Sequence, residues 1–213
     1  MEFRNIVETK SKGEKMYLLR LLFFVSADIL LIVLFSRPQF RRGNLIKFLS
    51  FSLVVVITAV SLFFPFEDFF YTFSSPEEVC NYKNAGNVKL VVPGTSSDFV
   101  VSEKTDSKNY TIVPKTEKGW KIGSITDLKQ FKQKIVGDVI IYIYRYGRSN
   151  DFFITVFNSY DGEIDVSDNR NSDFTYLETH QNTFNETYFT YYAHIENYDT
   201  GYELYINGVS ASI

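Results

Sequence analysis

The alternation of apolar and polar positions changes character once along the chain, near residue 66. Before that point there are two long apolar runs. Residues 48–66, FLSFSLVVVITAVSLFFPF, are nineteen positions without a charge. As a helix rising 1.5 Å per residue this run would nearly cross the roughly 30 Å hydrocarbon core of a bilayer. Residues 16–36, MYLLRLLFFVSADILLIVLFS, form a second run of spanning length, interrupted by Arg20 and Asp28. The linker between them, RPQFRRGNLIK, carries Arg37, Arg41, Arg42 and Lys47 and no acid. Pro38 and Gly43 break helical continuity there. The pattern predicts a polar arm over residues 1–15 and a two-helix transmembrane hairpin, 16–36 and 48–66, with a basic loop at 37–47. A cleaved signal peptide fits less well, because no small-x-small site follows and the first run exceeds a usual apolar core.

After residue 66 the period shortens. Ser75 is placed to cap a short helix, with Pro76 at its first position and Glu77 and Glu78 in its first turn. That helix should run over residues 76–84. Strand-like segments then recur at 88–92, 99–103, 110–113, 120–122, 138–146, 152–157, 164–166, 174–178, 188–195 and 202–206. Residues 124–134 read as a weak helix or loop. The strongest strand is 138–146, DVIIYIYRY. Asn207-Gly208 is a type I′ hairpin signal. Short strands with turn signals between them predict an antiparallel sandwich, barrel or curled sheet. The fold class expected is therefore α+β: the transmembrane hairpin, then a mainly antiparallel β domain over 67–213 with one short N-terminal helix.

Charge divides the chain at the same place. Residues 1–66 carry nine Lys/Arg and four Asp/Glu, and residues 67–213 carry thirteen and twenty-one, giving +5 and −8. An acidic body argues against nucleic acid as a partner, since phosphate binding needs a basic face. The basic loop faces a downstream flank, 67–86, with Lys83 alone. The positive-inside rule then puts the loop in the cytoplasm and the body outside. The N-terminal arm, with Arg4, Lys10, Lys12 and Lys15, pulls the other way. The localisation expected is the plasma membrane, multi-pass, with an extracytoplasmic C-terminal domain. The single cysteine, Cys80, excludes an internal disulfide and a cysteine-based metal cluster. It reads as a small buried apolar residue.

Candidate chemistry is sparse. Asp165, Ser167, Asn169, Asn171 and Asp173 begin like a calcium loop, but Arg170 and Tyr176 stand where an EF-hand needs Gly and Glu. A polar turn is the better reading. His180 and Glu178, with His194 and Glu196, could supply zinc ligands if their strands paired, but solvated sheet faces are the commoner outcome. Acid pairs such as Asp161 with Glu163 occur in any acidic domain and have no defined separation in a sequence. Ser159, Ser167 and Ser172 lack a nucleophile context, and no G-x-S-x-G, S-x-x-K or H-E-x-x-H occurs. The tyrosines of YIYRY and YFTYY could stack on sugars, although alternating aromatics more often cover a sheet face. No cofactor, metal or catalytic residue is assigned, and an enzyme is not favoured.

Three stretches, FSSPEEVCNY at 73–82, IVPKTEKGWKIG at 112–123 and IENYDTGYELYINGVSASI at 195–213, carry a resemblance. From about Phe66 to the end, the chain resembles small exported proteins of Gram-positive bacteria that have N-terminal membrane helices and a β-rich outer domain. The resemblance implies an extracytoplasmic domain and no activity. Cys80 stands where that family has an aromatic.

The function expected is a membrane-anchored β domain that binds or accompanies an envelope component. Two alternatives stand beside it. One is a cell-wall enzyme using carboxylates of the acidic body. The other is a membrane subunit touching a partner membrane protein through Asp28. A carboxylate at the centre of a spanning helix costs about 2.5–3.5 kcal/mol. Thr58, at similar depth in the second run, is the expected hydroxyl donor to Asp28.

Overall fold

The computed structural model describes residues 22, 24–27, 29–33, 44–63, 65–105, 107–124, 128–159, 162–181 and 186–213. Helix α1 is Asn44–Phe63, followed by a 3-10 turn at Phe66–Phe69 and helix α2, Pro76–Tyr82. Among the described residues twelve strands follow: β1 Asn87–Pro93, β2 Ser97–Lys104, β3 Ser107–Thr116, β4 Gly119–Trp120, β5 Leu128–Val136, β6 Val139–Tyr146, β7 Asp151–Asn158, β8 Val166–Asp168, β9 Thr175–Gln181, β10 Glu186–Glu196, β11 Glu203–Ile206 and β12 Val209–Ser212. Every pairing between them is antiparallel.

The N-terminal region corrects the membrane expectation. No helix among the described residues is long and apolar enough to cross a membrane. In the first run, helix is described only at residues 22, 24–27 and 29–33. In the second, α1 holds Lys47 in its first turn and stops at Phe63 before Pro65, whose backbone is extended. The charge-free helical part is 48–63, sixteen residues, or about 24 Å against the roughly 30 Å needed. Neither the two-helix transmembrane hairpin nor the multi-pass plasma-membrane placement is retained, and the loop-in, body-out orientation argued from two crossings falls with them. Several large side chains of α1, among them Phe48, Phe51 and Leu53, are exposed.

The strands form three sheets, ordered β1-β2-β3-β4, β5-β6-β7-β10-β9 and β12-β11-β8. The central five-stranded sheet is apolar on both faces, because alternate residues serve different layers. Ile141, Ile143, Ile154, Val156, Ala193 and Ile195 face the small sheet and meet Leu204 and Ala211. Tyr144, Phe153 and Tyr192, one residue out of phase, face the first sheet and meet Val92, Phe99, Val101 and Ile112. The far side of the first sheet is covered by α2, through Val79, Cys80, Val100 and Val113. Chain order therefore builds four layers: α2, first sheet, central sheet, small sheet.

Local chemistry explains the element ends. Ser75 caps α2, its Oγ accepting from Glu78 N at 3.3 Å, while Glu78 Oε2 accepts from Ser74 N at 2.9 Å. Pro76 sits in the first turn as predicted. Cys80 is buried in this layer, and burial pushes its thiol up to about 11, so it stays a neutral packing group. Asn207 and Gly208 both have positive φ, 50° and 75°, as the tight β11–β12 turn requires. Residues 128–134, part of the 124–134 stretch expected as a weak helix or loop, instead belong to edge strand β5, Leu128–Val136. Leu128, Phe131 and Ile135 do have helical spacing. The long partner β6 and the contact of Phe131 with Phe152, ring centroids 5.4 Å apart, override it.

Candidate functional site

The seam between the first and central sheets is aromatic at its middle and polar at both ends. Phe99 anchors the middle. Its ring lies 5.6 Å from Tyr110, 5.4 Å from Tyr144, 5.3 Å from Phe153 and 6.4 Å from Tyr192. Such ring pairs add about 0.5–1.5 kcal/mol each to the burial of their area.

One polar end is built on Asp151, the first residue of β7, which is 2 % exposed. The β1–β2 turn lies over it and points its donors inward. Thr95 N donates to Oδ1 at 3.1 Å, and Ser96 N to Oδ2 at 2.7 Å. The hydroxyls of Ser96 and Ser97 donate to Oδ2 at 2.6 and 3.1 Å. His194 Nε2 lies 2.8 Å from Oδ1. Burial pushes this carboxyl up, but the hydrogen bonds from His194, Ser96 and Thr95 outweigh it and hold the acid ionised well below the ordinary carboxylate range. An ionised carboxylate only accepts, so His194 Nε2 carries the hydrogen. Gly94 makes the close approach possible. A Cβ there would lie 2.5 Å from Ser97 O and 2.8 Å from the Phe153 ring.

This end contains a serine, an aspartate and a histidine, but in the wrong order for nucleophilic catalysis. An activated serine gives its hydrogen bond to the imidazole, and the carboxylate orients the imidazole from behind. Here Ser96 Oγ bonds the carboxylate directly. The arrangement clasps the β1–β2 turn to the central sheet and leaves no group positioned to attack.

The other end lies near the β2–β3 turn and is built differently. Lys108 Nζ donates to Thr190 Oγ1 at 3.3 Å, and this is its one hydrogen bond among the described residues. Burial lowers the lysine pKa, and Glu103 raises it in part. Glu103 itself is paired with Lys89 at 2.9 Å. Tyr110, two residues along β3 from Lys108, clusters with Tyr142, Tyr144 and Tyr192, with ring centroids 5.8 Å apart for Tyr110–Tyr144 and 6.2 Å for Tyr142–Tyr144. Burial pushes the Tyr144 hydroxyl up to about 12 and raises those of Tyr110 and Tyr192 as well. The buried hydroxyl of Tyr192 is close enough to Tyr110 and Thr190 to feel both, yet makes no hydrogen bond of normal geometry. Thr155, opposite Tyr192 across the β7–β10 pair and 1 % exposed, also has an unpartnered hydroxyl, as does Thr179 on β9. A different pair, Tyr202 and Asp168, is unpartnered in the small sheet's layer. There a donor stands beside an acceptor, so each can serve the other, as the hydroxyls of Tyr110 and Thr190 stand beside that of Tyr192. At the Lys108 end the opposite charge acting on the ammonium among the described residues is that of Glu103.

The residues singled out by sequence are placed as follows. Asp28 falls outside the described residues, and Thr58 is a helical residue of α1, so the contact expected between them is not placed. His194 belongs to the Asp151 clasp. His180 pairs in register with Thr187, seven positions along β10 from His194, or about 23 Å. The imagined zinc set therefore does not converge, and no group of three His, Cys, Asp or Glu able to hold a metal occurs among the described residues. The calcium-like stretch is a polar turn: Asp168 Oδ1 accepts from Arg170 N and Ser172 N, and the Asn169 side chain ties to Gly201 and Glu203. Glu163 is exposed and Asp161 lies outside the described residues. Of the tyrosine runs, YIYRY supplies Tyr142 and Tyr144 and YFTYY supplies Tyr192. Asp151, Lys108 and Thr155 carried no signal in the sequence. No family model, no curated protein and no solved structure matches this chain.

Proposed function

We propose that the β body is a ligand-binding module rather than a hydrolase, and that it binds at the Lys108–Tyr192 end of the seam. The observation that carries this reading is the pair of buried hydroxyls on Tyr192 and Thr155, cross-strand neighbours and both without a hydrogen-bond partner of normal geometry, at the end of the seam where Lys108 reaches Thr190. Each buried unsatisfied polar group costs about 1–3 kcal/mol. Phe and Val would fill the same volumes without that cost. Residues that sacrifice stability in this way are characteristic of binding sites. The enzyme alternative lacks comparable support, because the one deeply buried carboxylate in the seam already has all its acceptor capacity engaged.

The test is thermal unfolding of Tyr192→Phe and Thr155→Val. If the hydroxyls await a ligand, removing either one raises the ligand-free stability by about 1 kcal/mol, or about 2–4 °C in Tm. A fall in Tm for both variants shows that the hydroxyls already serve the fold and overturns the reading.

A further inference from the structure

We propose that the outer edge of β5 is a docking edge for an extended acidic segment of a partner protein, which adds to the five-stranded sheet as a further strand. This surface lies outside the seam and does not rest on the reading above. The sheets end on β1, β4, β5, β9, β12 and β8. β1 carries one lysine, Lys89, held by Glu103 at 2.9 Å, and β4, β8, β9 and β12 carry no Lys or Arg. β5 carries Lys129, Lys132 and Lys134 and no acid. Lysines on an edge ordinarily repel stray strands. A general guard would mark β9 as well, which is the other edge of the same sheet. Residues 128–148 hold five of the body's thirteen Lys/Arg and a single acid, Asp138, a net of +4 in a body of net −8. The bulge between Gln130 and Lys132 shifts the register so that Lys129, Lys132 and Lys134 stand opposite Arg145, Ile143 and Ile141 and share one face with them. Lys129 and Lys132 are exposed, and the ion pairs among the described residues, Lys89–Glu103, Arg170–Asp199 and His194–Asp151, include neither. The Arg145 guanidinium donates to the carbonyls of Ser149 and Arg148, which leaves its charge unneutralised. The backbone selects a peptide over any other polyanion. β6 is the one strand that pairs with β5 among the described residues, and only a second backbone can bond the outer side of such a strand. The charge selects the sequence. Side chains of an added strand alternate between faces, so acids at every second position meet the lysine row. A second β5 edge would set lysines against lysines and is rejected.

The full-length chain is titrated into labelled peptides of nine residues, the length of β5, with fluorescence anisotropy as the readout. One peptide alternates Thr and Glu. A second alternates Thr and Lys. A third is the Thr-Glu peptide N-methylated throughout, which keeps its charges and loses every backbone donor. An inorganic polyphosphate is the competing polyanion. The double variant Lys129→Glu, Lys132→Glu is compared with Lys115→Glu, Lys118→Glu, which changes the net charge equally at exposed sites by the β3–β4 turn. Both are first matched to wild type in unfolding temperature, and Lys129→Gln, Lys132→Gln replaces the edge double if it fails to fold. The Thr-Glu peptide should saturate, and the edge double should weaken it at least tenfold while the control double changes it less than twofold. N-methylation should weaken it at least tenfold, and the Thr-Lys peptide should not saturate. Each of the following overturns the proposal: no saturation by the Thr-Glu peptide, equal binding of the Thr-Lys or N-methylated peptide, equal weakening in the two doubles, or displacement by polyphosphate at a lower concentration than by unlabelled Thr-Glu peptide. Self-association that the edge double abolishes, with no peptide bound, assigns the edge to a second copy and also overturns the partner.

Discussion

The two polar ends of one seam differ in how fully their groups are satisfied. At the Asp151 end, a single buried carboxylate accepts from two backbone amides, two hydroxyls and an imidazole. At the Lys108 end, one ammonium makes a single hydrogen bond among the described residues, and the buried hydroxyls of Tyr192 and Thr155 make none of normal geometry. Asp151 is 2 % exposed whereas Lys108 is only partly buried, so the charge at the first end is the one cut off from water. A saturated buried network rigidifies a fold, whereas a half-satisfied one is a standing cost. Judged by residue type alone, the Ser-Asp-His end would attract attention as an active site and the tyrosine end would pass as core. Hydrogen-bond accounting reverses that order.

The comparison is broken most directly at Asp151. Replacing it with Ala leaves five donors facing a void and removes the charge that His194 is bonded to. Deleting one partner of a buried hydrogen-bonded charge pair costs about 3–5 kcal/mol. Asp151→Ala should therefore lower stability by that amount in urea unfolding, with no gain in exposure of other regions beforehand. A loss below about 1 kcal/mol would mean that the clasp is loose and that the two ends do not differ in kind. The expected signs are opposite: removing a polar group destabilises here, and removing the Tyr192 hydroxyl stabilises.

The antiparallel strands were mostly legible, whereas the two-helix hairpin of the expected fold was not found among the described residues. The β6 stretch alternates Ile and Tyr, and Tyr142 and Tyr144 fall on the seam face while Ile141 and Ile143 face the small sheet, as period-two patterning dictates. Ser75, Pro76 and Asn207-Gly208 marked their cap and turn because those signals act within four residues. The errors were of two kinds. The stretch 124–134 read as a weak helix or loop, and only the pairing of its second half with β6 makes it a strand. Lys47 and Pro65 cut an uncharged run short of spanning length, and an uninterrupted count from 48 to 66 hid that. The site was illegible for a different reason. Ser96 and Asp151 are 55 residues apart, and Asp151 and His194 are 43 apart. Nothing local encodes their meeting. Satisfaction is also a property of the whole neighbourhood, so Thr155 and Tyr192 read as ordinary strand residues until their hydroxyls are followed to their surroundings.

A smaller break at the same end isolates one donor. Ser96 gives Asp151 Oδ2 both its amide and its hydroxyl. Ser96→Ala removes only the hydroxyl, at 2.6 Å from a charged acceptor that keeps four other donors. Hydrogen bonds to charged groups contribute about 1.5–3 kcal/mol. The loss should fall at the low end of that range, because the remaining donors stay in place. Chemical denaturation of Ser96→Ala and of the Asp151→Ala, Ser96→Ala double variant measures it. If the two losses add fully, Ser96 does not act through Asp151.

The finest distinction comes from acid. The folded pKa of Asp151 lies below its unfolded value of about 3.9, so the unfolded chain takes the proton first. The stability it contributes is fully present above about pH 5. It is lost as the pH falls from there through the folded value. For one group the slope cannot exceed about 1.4 kcal/mol per pH unit, and it is positive: stability rises with pH across that window. Asp151→Asn keeps the shape and removes the titration. The difference in stability between wild type and Asp151→Asn should therefore shrink steadily from pH 5 to pH 2. Other carboxylates titrate in both proteins and cancel in the difference. A difference that stays flat to pH 2 would show that the five hydrogen bonds do not hold this carboxylate ionised, and the saturated end of the seam would then be no more satisfied than the end at Lys108.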